Sequence, residues 1–175
     1  MRRPLAALSL AALAVLAPSL PAMAQDEPQK VLESNTFGLN ISAINAKVAQ
    51  GDAAPAAGNL AKAKVDYDQA RLGAQNLTRF YRNLSGSFRG LDARIPREMD
   101  QKGREALETM AQANLRLAAV FRRQNQPEVA VPLLVEVVKV MTPASPEGRK
   151  AFQSLVEIGF AATPYTAGAA ATPGS

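Results

Sequence analysis

Hydrophobic positions in the second half of the chain repeat every three or four residues, which is the period of an α-helix. Leu107, Met110, Leu117 and Phe121 lie on one helical face together with the polar Asn114. A polar run at 122–126 ends this pattern, and Pro127 suits the first turn of a new helix, where its missing N–H is not needed. The second helix has its own apolar face: Ala130, Leu133, Leu134, Val137 and Met141. The spacing predicts a helical hairpin.

The second helix of this hairpin is also apolar on its other faces. Valine occupies five further positions: Val129, Val131, Val135, Val138 and Val140. A helix that is hydrophobic over most of its circumference has to be covered on more than one side. We therefore expect it to be the most buried element.

The hairpin resembles a degenerate tetratricopeptide repeat. The motif's large, small and aromatic residues correspond to Leu117, Ala118 and Phe121, and Ala130, Leu134, Val137 and Pro143 match the second helix. It departs from the motif at three positions: Asn114 replaces a tryptophan, Asn125 replaces a turn glycine, and Pro132 lies inside the second helix. The resemblance implies stacked antiparallel helices that bind other proteins. A generic helical bundle is the alternative.

Two helices are predicted before the hairpin. The first runs from Asn35 to Gln50, capped by Asn35 or Thr36 and ended by Gly51, with 52–58 as a link. The second starts at Leu60. Its seam, the row of apolar or small residues spaced three and four apart on one face, is long: Leu60, Ala63, Tyr67, Ala70, Ala74, Leu77, Tyr81 and Leu84. Residues 66–70 also resemble the opening of a second tetratricopeptide helix. The unbroken seam favours one long helix over a turn there.

Glycine, serine and proline at 85–96 predict a long connection, which at this length is often functional. A helix from Arg97 to Gln124 should follow, and then the valine-rich helix. Ser145 should cap a last helix that reaches about Phe160 and packs through Phe152, Leu155, Val156 and Gly159. Residues 161–175 are poor in core-forming side chains, so we expect a disordered tail.

The first 24 residues have the layout of a secretory signal peptide. Arg2 and Arg3 precede an apolar run from Leu5 to Ala17, and small residues precede Gln25. The run is too short to span a bilayer. The predicted organisation is a signal peptide (1–24), a flexible lead-in (25–34), a helical domain (35–160) and the tail (161–175). The overall layout is also similar to small exported helical proteins of cyanobacteria, which would imply the periplasm or the thylakoid lumen.

Positive charge is concentrated in the middle of the chain. The net charge is +5, or +3 without Arg2 and Arg3, but the span 79–123 holds ten basic and only five acidic residues. Five arginines lie on or beside the predicted connection: Arg79, Arg82, Arg89, Arg94 and Arg97. They are the candidate contact residues for a protein with an acidic face or for an anionic membrane surface. The alternative is a solvated surface with local pairs such as Arg104 with Glu108.

The composition excludes several kinds of chemistry. Cysteine and histidine are absent, which removes disulfides, thiol catalysis, histidine-based triads and the commonest metal ligand. No phosphate-binding or dinucleotide-binding glycine motif occurs, and no aromatic-basic pattern indicates nucleic-acid binding. We expect no cofactor, no metal, no nucleic-acid partner and no enzymatic activity.

The sequence therefore predicts an all-α protein of about five helices in antiparallel pairs, either tetratricopeptide-like or a related bundle. The first functional hypothesis is an exported, non-enzymatic adaptor or assembly factor that binds another protein. The second is a stable helical-bundle subunit docked on a membrane complex, such as a photosynthetic one. Stoichiometry with the partner distinguishes the two.

Overall fold

The computed structural model describes residues 38–166, and the fold is all-α, as predicted. These residues form five α-helices and no strand: α1 (Ile41–Ala53), α2 (Leu60–Ser87), α3 (Arg94–Arg123), α4 (Pro127–Met141) and α5 (Pro146–Glu157). A short 3₁₀-helix (Ala54–Ala57) follows α1. The predicted signal peptide, the lead-in, residues 35–37 and residues 167–175 lie outside the described residues.

Each helix packs mainly against its neighbours in the chain. Helix α3 also touches both α1 and α5, whereas α2 and α4 make no contact with each other in the part of the chain that the structure describes. Two apolar clusters result: one joins α1, α2 and α3, with Leu133 and Val140 of α4 at its edge, and the other joins α3, α4 and α5. The helices therefore form an open array about α3, and not a closed bundle.

Short polar side chains cap three of the helices. Asn40 accepts a hydrogen bond from the Ser42 N–H (2.8 Å), Asn59 accepts one from Lys62, and Ser145 accepts one from Gly148. Such caps satisfy backbone donors that have no partner within the helix. The Ser145 cap is as predicted. The first helix begins later than predicted and is capped by Asn40.

Gly51 does not end the first helix, which continues to Ala53. Gly51 is buried against the ring of Tyr67 in α2, so closely that a β-carbon at Gly51 would lie 2.5 Å from Tyr67 Cε1. This glycine therefore permits close packing between α1 and α2. A glycine in the sequence does not by itself show whether it ends a helix or permits such packing.

The predicted connection 85–96 is only half as long in the structure, since α2 continues to Ser87 and α3 begins at Arg94. Ser85 remains helical and is buried. At the other end, the Asp92 carboxylate accepts a hydrogen bond from the Arg94 N–H (2.8 Å) and starts α3 three residues before the predicted boundary. Pro96 fits because residues in the first turn need no N–H.

Two departures from the repeat motif have a structural explanation in the α3–α4 hairpin. Asn125 has a φ of 58°, a left-handed conformation that asparagine tolerates better than most residues, so it can replace glycine there. Asn114 is fully buried and its Nδ2 donates a hydrogen bond to Glu136 Oε2 (3.1 Å). It therefore links α3 to α4 through a polar contact.

The valine-rich helix α4 is not the most buried element, and this prediction is wrong. Only Ala130, Leu134 and Val137 are buried, whereas Val129 and Val135 keep 39% and 42% of their surface exposed. Helices α3 and α5 cover two sides of α4. Its remaining side is open because α2 does not reach it.

The last helix ends at Glu157, about one turn before the predicted limit. Gly159 has a φ of 76° and is exposed, so it belongs to the turn after α5 and not to a packing face. Beyond that turn, Ala161 packs against the second cluster and the Tyr165 ring meets Phe152 edge-on, with the centroids 6.5 Å apart. Residues 161–166 of the predicted tail thus lie against α5.

Thr142, which ends α4, has φ 60° and ψ 153°, a conformation that is essentially restricted to glycine and costs a β-branched residue about 1–3 kcal/mol. We expect Thr142→Gly to raise the free energy of unfolding by about 1 kcal/mol, after the backbone entropy of glycine is subtracted. Chemical denaturation measures this change. Asn125→Gly is the control and should change stability less, because asparagine is only mildly strained there. A larger gain at Asn125 would contradict the assignment.

Candidate functional site

The short α2–α3 connection brings basic side chains from both helices into one groove. Because the helices are antiparallel, residues at equal distances from the turn lie opposite each other, as Arg82 and Met99 do. The groove has a volume of about 340 Å³. Eight residues line it and define what we call the arginine groove: Thr78, Arg82, Arg89, Met99, Asp100, Gly103, Arg104 and Leu107.

The three arginines of the groove have no partner among the described residues. Arg82, Arg89 and Arg104 make neither an ion pair nor a side-chain hydrogen bond there, and Asp100 is the single carboxylate in the lining. The predicted local pair between Arg104 and Glu108 does not form. Guanidinium groups that are free of carboxylates keep all their donors for an anionic ligand. The groove thus holds three guanidinium groups whose donors are not engaged in the part of the chain that the structure describes.

The structure separates the five predicted arginines into two groups. Arg82 and Arg89 line the groove. Arg94 is 89% exposed and is paired with Asp92 (Nη2 to Oδ2, 2.8 Å), and the hydrogen bonds from Arg94 lower the pKa of that carboxyl group. Arg79 donates to Asn76 and lies 5.9 Å from the centre of the Phe80 ring. Arg79, Arg94 and the exposed Arg97 are outside the groove lining.

Exposed apolar side chains lie near the arginine groove at the same end of the molecule. Leu91, in the α2–α3 connection, is 79% exposed, and Phe80 and Leu84 of α2 are also largely exposed. Large apolar residues beside arginines are typical of protein interfaces, where they supply contact area while the charges orient the partner. The tip of the α2–α3 hairpin therefore combines both kinds of interface residue.

A larger groove of about 550 Å³ lies between α3 and α5, and both of its arginines are paired with carboxylates. Arg116 Nε donates to Asp52 Oδ1 (2.8 Å), and Arg122 pairs with Glu157 (3.0 Å). The Tyr67 hydroxyl donates to the same Asp52 oxygen (2.7 Å), and burial together with this hydrogen bond raises the tyrosine pKa above its usual range. These groups connect helices, so we prefer the arginine groove as the functional site.

Sequence reasoning did not select Arg104 as a site residue. It lies ten residues beyond the start of α3, far from the connection in sequence. Its position follows from the antiparallel packing of α2 and α3, which brings Arg104 and Thr78 to the same groove. Had the connection between α2 and α3 been predicted to be shorter than 85–96, Arg104 would have been placed beside α2.

Comparisons with known proteins add no assignment, since no family model, no curated protein and no solved structure matches the chain. The geometry alone defines its class: an all-helical protein whose described helices are consistent with a helical-repeat-like array. In residues 38–166, no helix has the length and apolar character needed to cross a membrane. The same residues contain no group of acidic side chains arranged to hold a metal ion.

Proposed function

We propose that the protein is an exported, non-enzymatic adaptor or assembly factor that binds an acidic segment of another protein in the arginine groove. The observation that carries this proposal is the set of three unpaired guanidinium groups, Arg82, Arg89 and Arg104, from two adjacent helices. Arginine binds carboxylates through two parallel hydrogen bonds, so such a set favours clustered aspartate or glutamate side chains.

The open helical array and the tetratricopeptide resemblance of α3 and α4 support a binding role. Stacked helix pairs present extended surfaces between their helices and are commonly used to bind peptide segments. The signal-peptide pattern at 1–24 supports export, to the periplasm or the thylakoid lumen. An anionic membrane surface is the competing partner for the same arginines.

A stable subunit of a membrane complex, such as a photosynthetic one, is the second candidate function. The exposed apolar residues at the hairpin tip favour it, above all Leu91 at 79% exposure. Apolar surface of this kind is typical of lasting interfaces, whereas a transient factor can rely on charge. An equimolar complex would support the subunit, and a substoichiometric one would support the assembly factor.

The test begins with the mature protein, tagged after Ser175 and purified with its partner from gently solubilised membranes of its host. Binding of the purified partner is then measured by calorimetry. We expect the triple variant Arg82→Ser, Arg89→Ser, Arg104→Ser to bind at least about 100-fold more weakly, since each charge-assisted hydrogen bond contributes about 1.5–3 kcal/mol. Its melting temperature should be unchanged, because these side chains have no partners in the fold.

A charge-matched control removes the same number of cations elsewhere: Lys139→Ser, Arg149→Ser, Lys150→Ser. These exposed residues lie on α4 and α5, and we expect nearly normal binding. Equal losses of affinity in the two triple variants would show that only net charge matters. This result would contradict the assignment of the arginine groove as the binding site. Replacing Arg79, Arg94 and Arg97 forms a third arm, with an intermediate effect expected. Binding to anionic vesicles but to no protein would identify the membrane as the partner.

A further inference from the structure

A second groove lies between α2 and α4, on the side of the molecule where these two helices do not meet. Its volume is about 390 Å³, and its floor is formed by α3. Its lining includes Lys64, Val65, Leu117, Phe121, Val129 and Leu133. We call this the valine groove, because an exposed valine stands on each wall.

The walls of the valine groove expose apolar surface to solvent. Val65 of α2 is 52% exposed and Val129 of α4 is 39% exposed, and the side chains of Leu117 and Phe121 lie between them. Water in contact with such a concave apolar surface is released when a hydrophobic ligand binds. The gain comes to about 25 cal/mol for each Å² that is covered. The valine groove thus has the surface needed for an apolar ligand.

One cation at the edge of the groove remains available for such a ligand. The Lys64 ammonium group lies 5.7 Å from the centre of the Phe121 ring and has no carboxylate partner among the described residues. The nearby Asp68 is engaged by Arg71, whose Nη2 and Nε lie 2.7 Å and 3.2 Å from Asp68 Oδ1. The lysine is therefore placed over the apolar floor without a neutralising charge.

We propose that the valine groove binds an amphiphile with a single carboxylate on an unbranched acyl chain. The carboxylate pairs with Lys64, and the chain lies along Leu117, Phe121, Val129 and Leu133. The charge pattern favours this ligand, since one unpaired cation beside an apolar floor matches one carboxylate on an apolar chain. The site is separate from the arginine groove and does not depend on the proposed function.

The experiment titrates decanoate and its neutral analogue decan-1-ol into the full mature chain and follows the methyl resonances of valine and leucine. We expect saturable binding of one decanoate, with shifts confined to Val65, Leu117, Val129 and Leu133. Val129→Glu should weaken decanoate binding at least about tenfold, because it places a like charge in the site. Lys64→Gln should weaken decanoate binding several-fold and leave decan-1-ol binding unchanged.

Val135→Glu is the matched control. Val135 is on the same helix and is 42% exposed, close to the exposure of Val129, but it does not line the groove. We expect wild-type affinity for this variant. Both substitutions are at solvent-exposed positions, and melting temperatures verify that both variants fold.

Three results would overturn the proposal. The first is the absence of saturable decanoate binding, and the second is an equal loss in the Val129 and Val135 variants. The third is a wild-type dimer in sedimentation that Val129→Glu dissociates, which would make a second copy of the chain the occupant. If decan-1-ol bound as tightly as decanoate and Lys64→Gln had no effect, the proposed pairing of the ligand carboxylate with Lys64 would be wrong.

Discussion

Gly148→Ala is expected to reduce the free energy of unfolding by about 3 kcal/mol or more, one of the largest effects of any single substitution in this protein. Gly148 is buried in the first turn of α5, where a β-carbon would lie 1.9 Å from the carbonyl oxygen of Thr142. That atom belongs to the backbone and cannot rotate away. The added methyl group must therefore separate α5 from the end of α4.

Thermal unfolding followed by circular dichroism measures this effect, and we expect the melting temperature to fall by roughly 6–12 °C. Gly86→Ala is the control, because no atom lies within 4 Å of the β-carbon position and the residue is helical. Alanine should stabilise α2 there by up to about 1 kcal/mol. If both alanine variants were equally stable, the contact between Gly148 and Thr142 would not exist in solution.

Leu134→Ala is expected to cost about 3 kcal/mol, the second large effect. Leu134 is almost fully buried in the cluster that joins α3, α4 and α5. Its cluster also contains Ala111, Ala118 and Ala151, whose side chains are too short to move into the space left by leucine. The cavity would remain largely open, so its cost adds to the lost transfer free energy of the removed atoms.

Urea denaturation measures the loss at Leu134, with the neighbouring Val135→Ala as the control. Val135 is exposed on the same helix, so its truncation should change stability by less than about 0.5 kcal/mol. Similar losses at the two positions would mean that α4 packs in a different orientation, with Val135 turned towards α3 or α5.

The positions of the helices could be predicted from the sequence because helical structure depends on contacts three and four residues apart. The seam of α2 confirms this over most of its length, since Ala63, Tyr67, Ala70, Ala74 and Leu77 are buried as predicted, whereas Leu84 near its end is 47% exposed. The boundaries were less certain. Gly51 was assigned as a helix end, yet it lies inside α1, since a glycine that permits close packing has the same local pattern as one that ends a helix.

Only part of the candidate site could be predicted. The local concentration of arginine drew attention to Arg82 and Arg89, which line the groove, but also to Arg94, which is paired with Asp92. Charge counts do not distinguish a free guanidinium group from a neutralised one. Arg116 shows the reason: its carboxylate partner, Asp52, is 64 residues away in sequence and becomes a neighbour only after α1 packs on α3.

The sequence by itself determined the all-α class, the approximate extent of each helix, the Ser145 cap of α5 and the proline that begins α4. Those features depend on backbone hydrogen bonds and side chains within a few residues of one another. The tertiary structure decided which apolar faces are covered. Helix α4 is apolar on nearly all sides, but whether α2 closes over it depends on how both pack against α3, and here they remain apart. Such long-range packing creates the valine groove and also places Arg104 in the lining of the arginine groove.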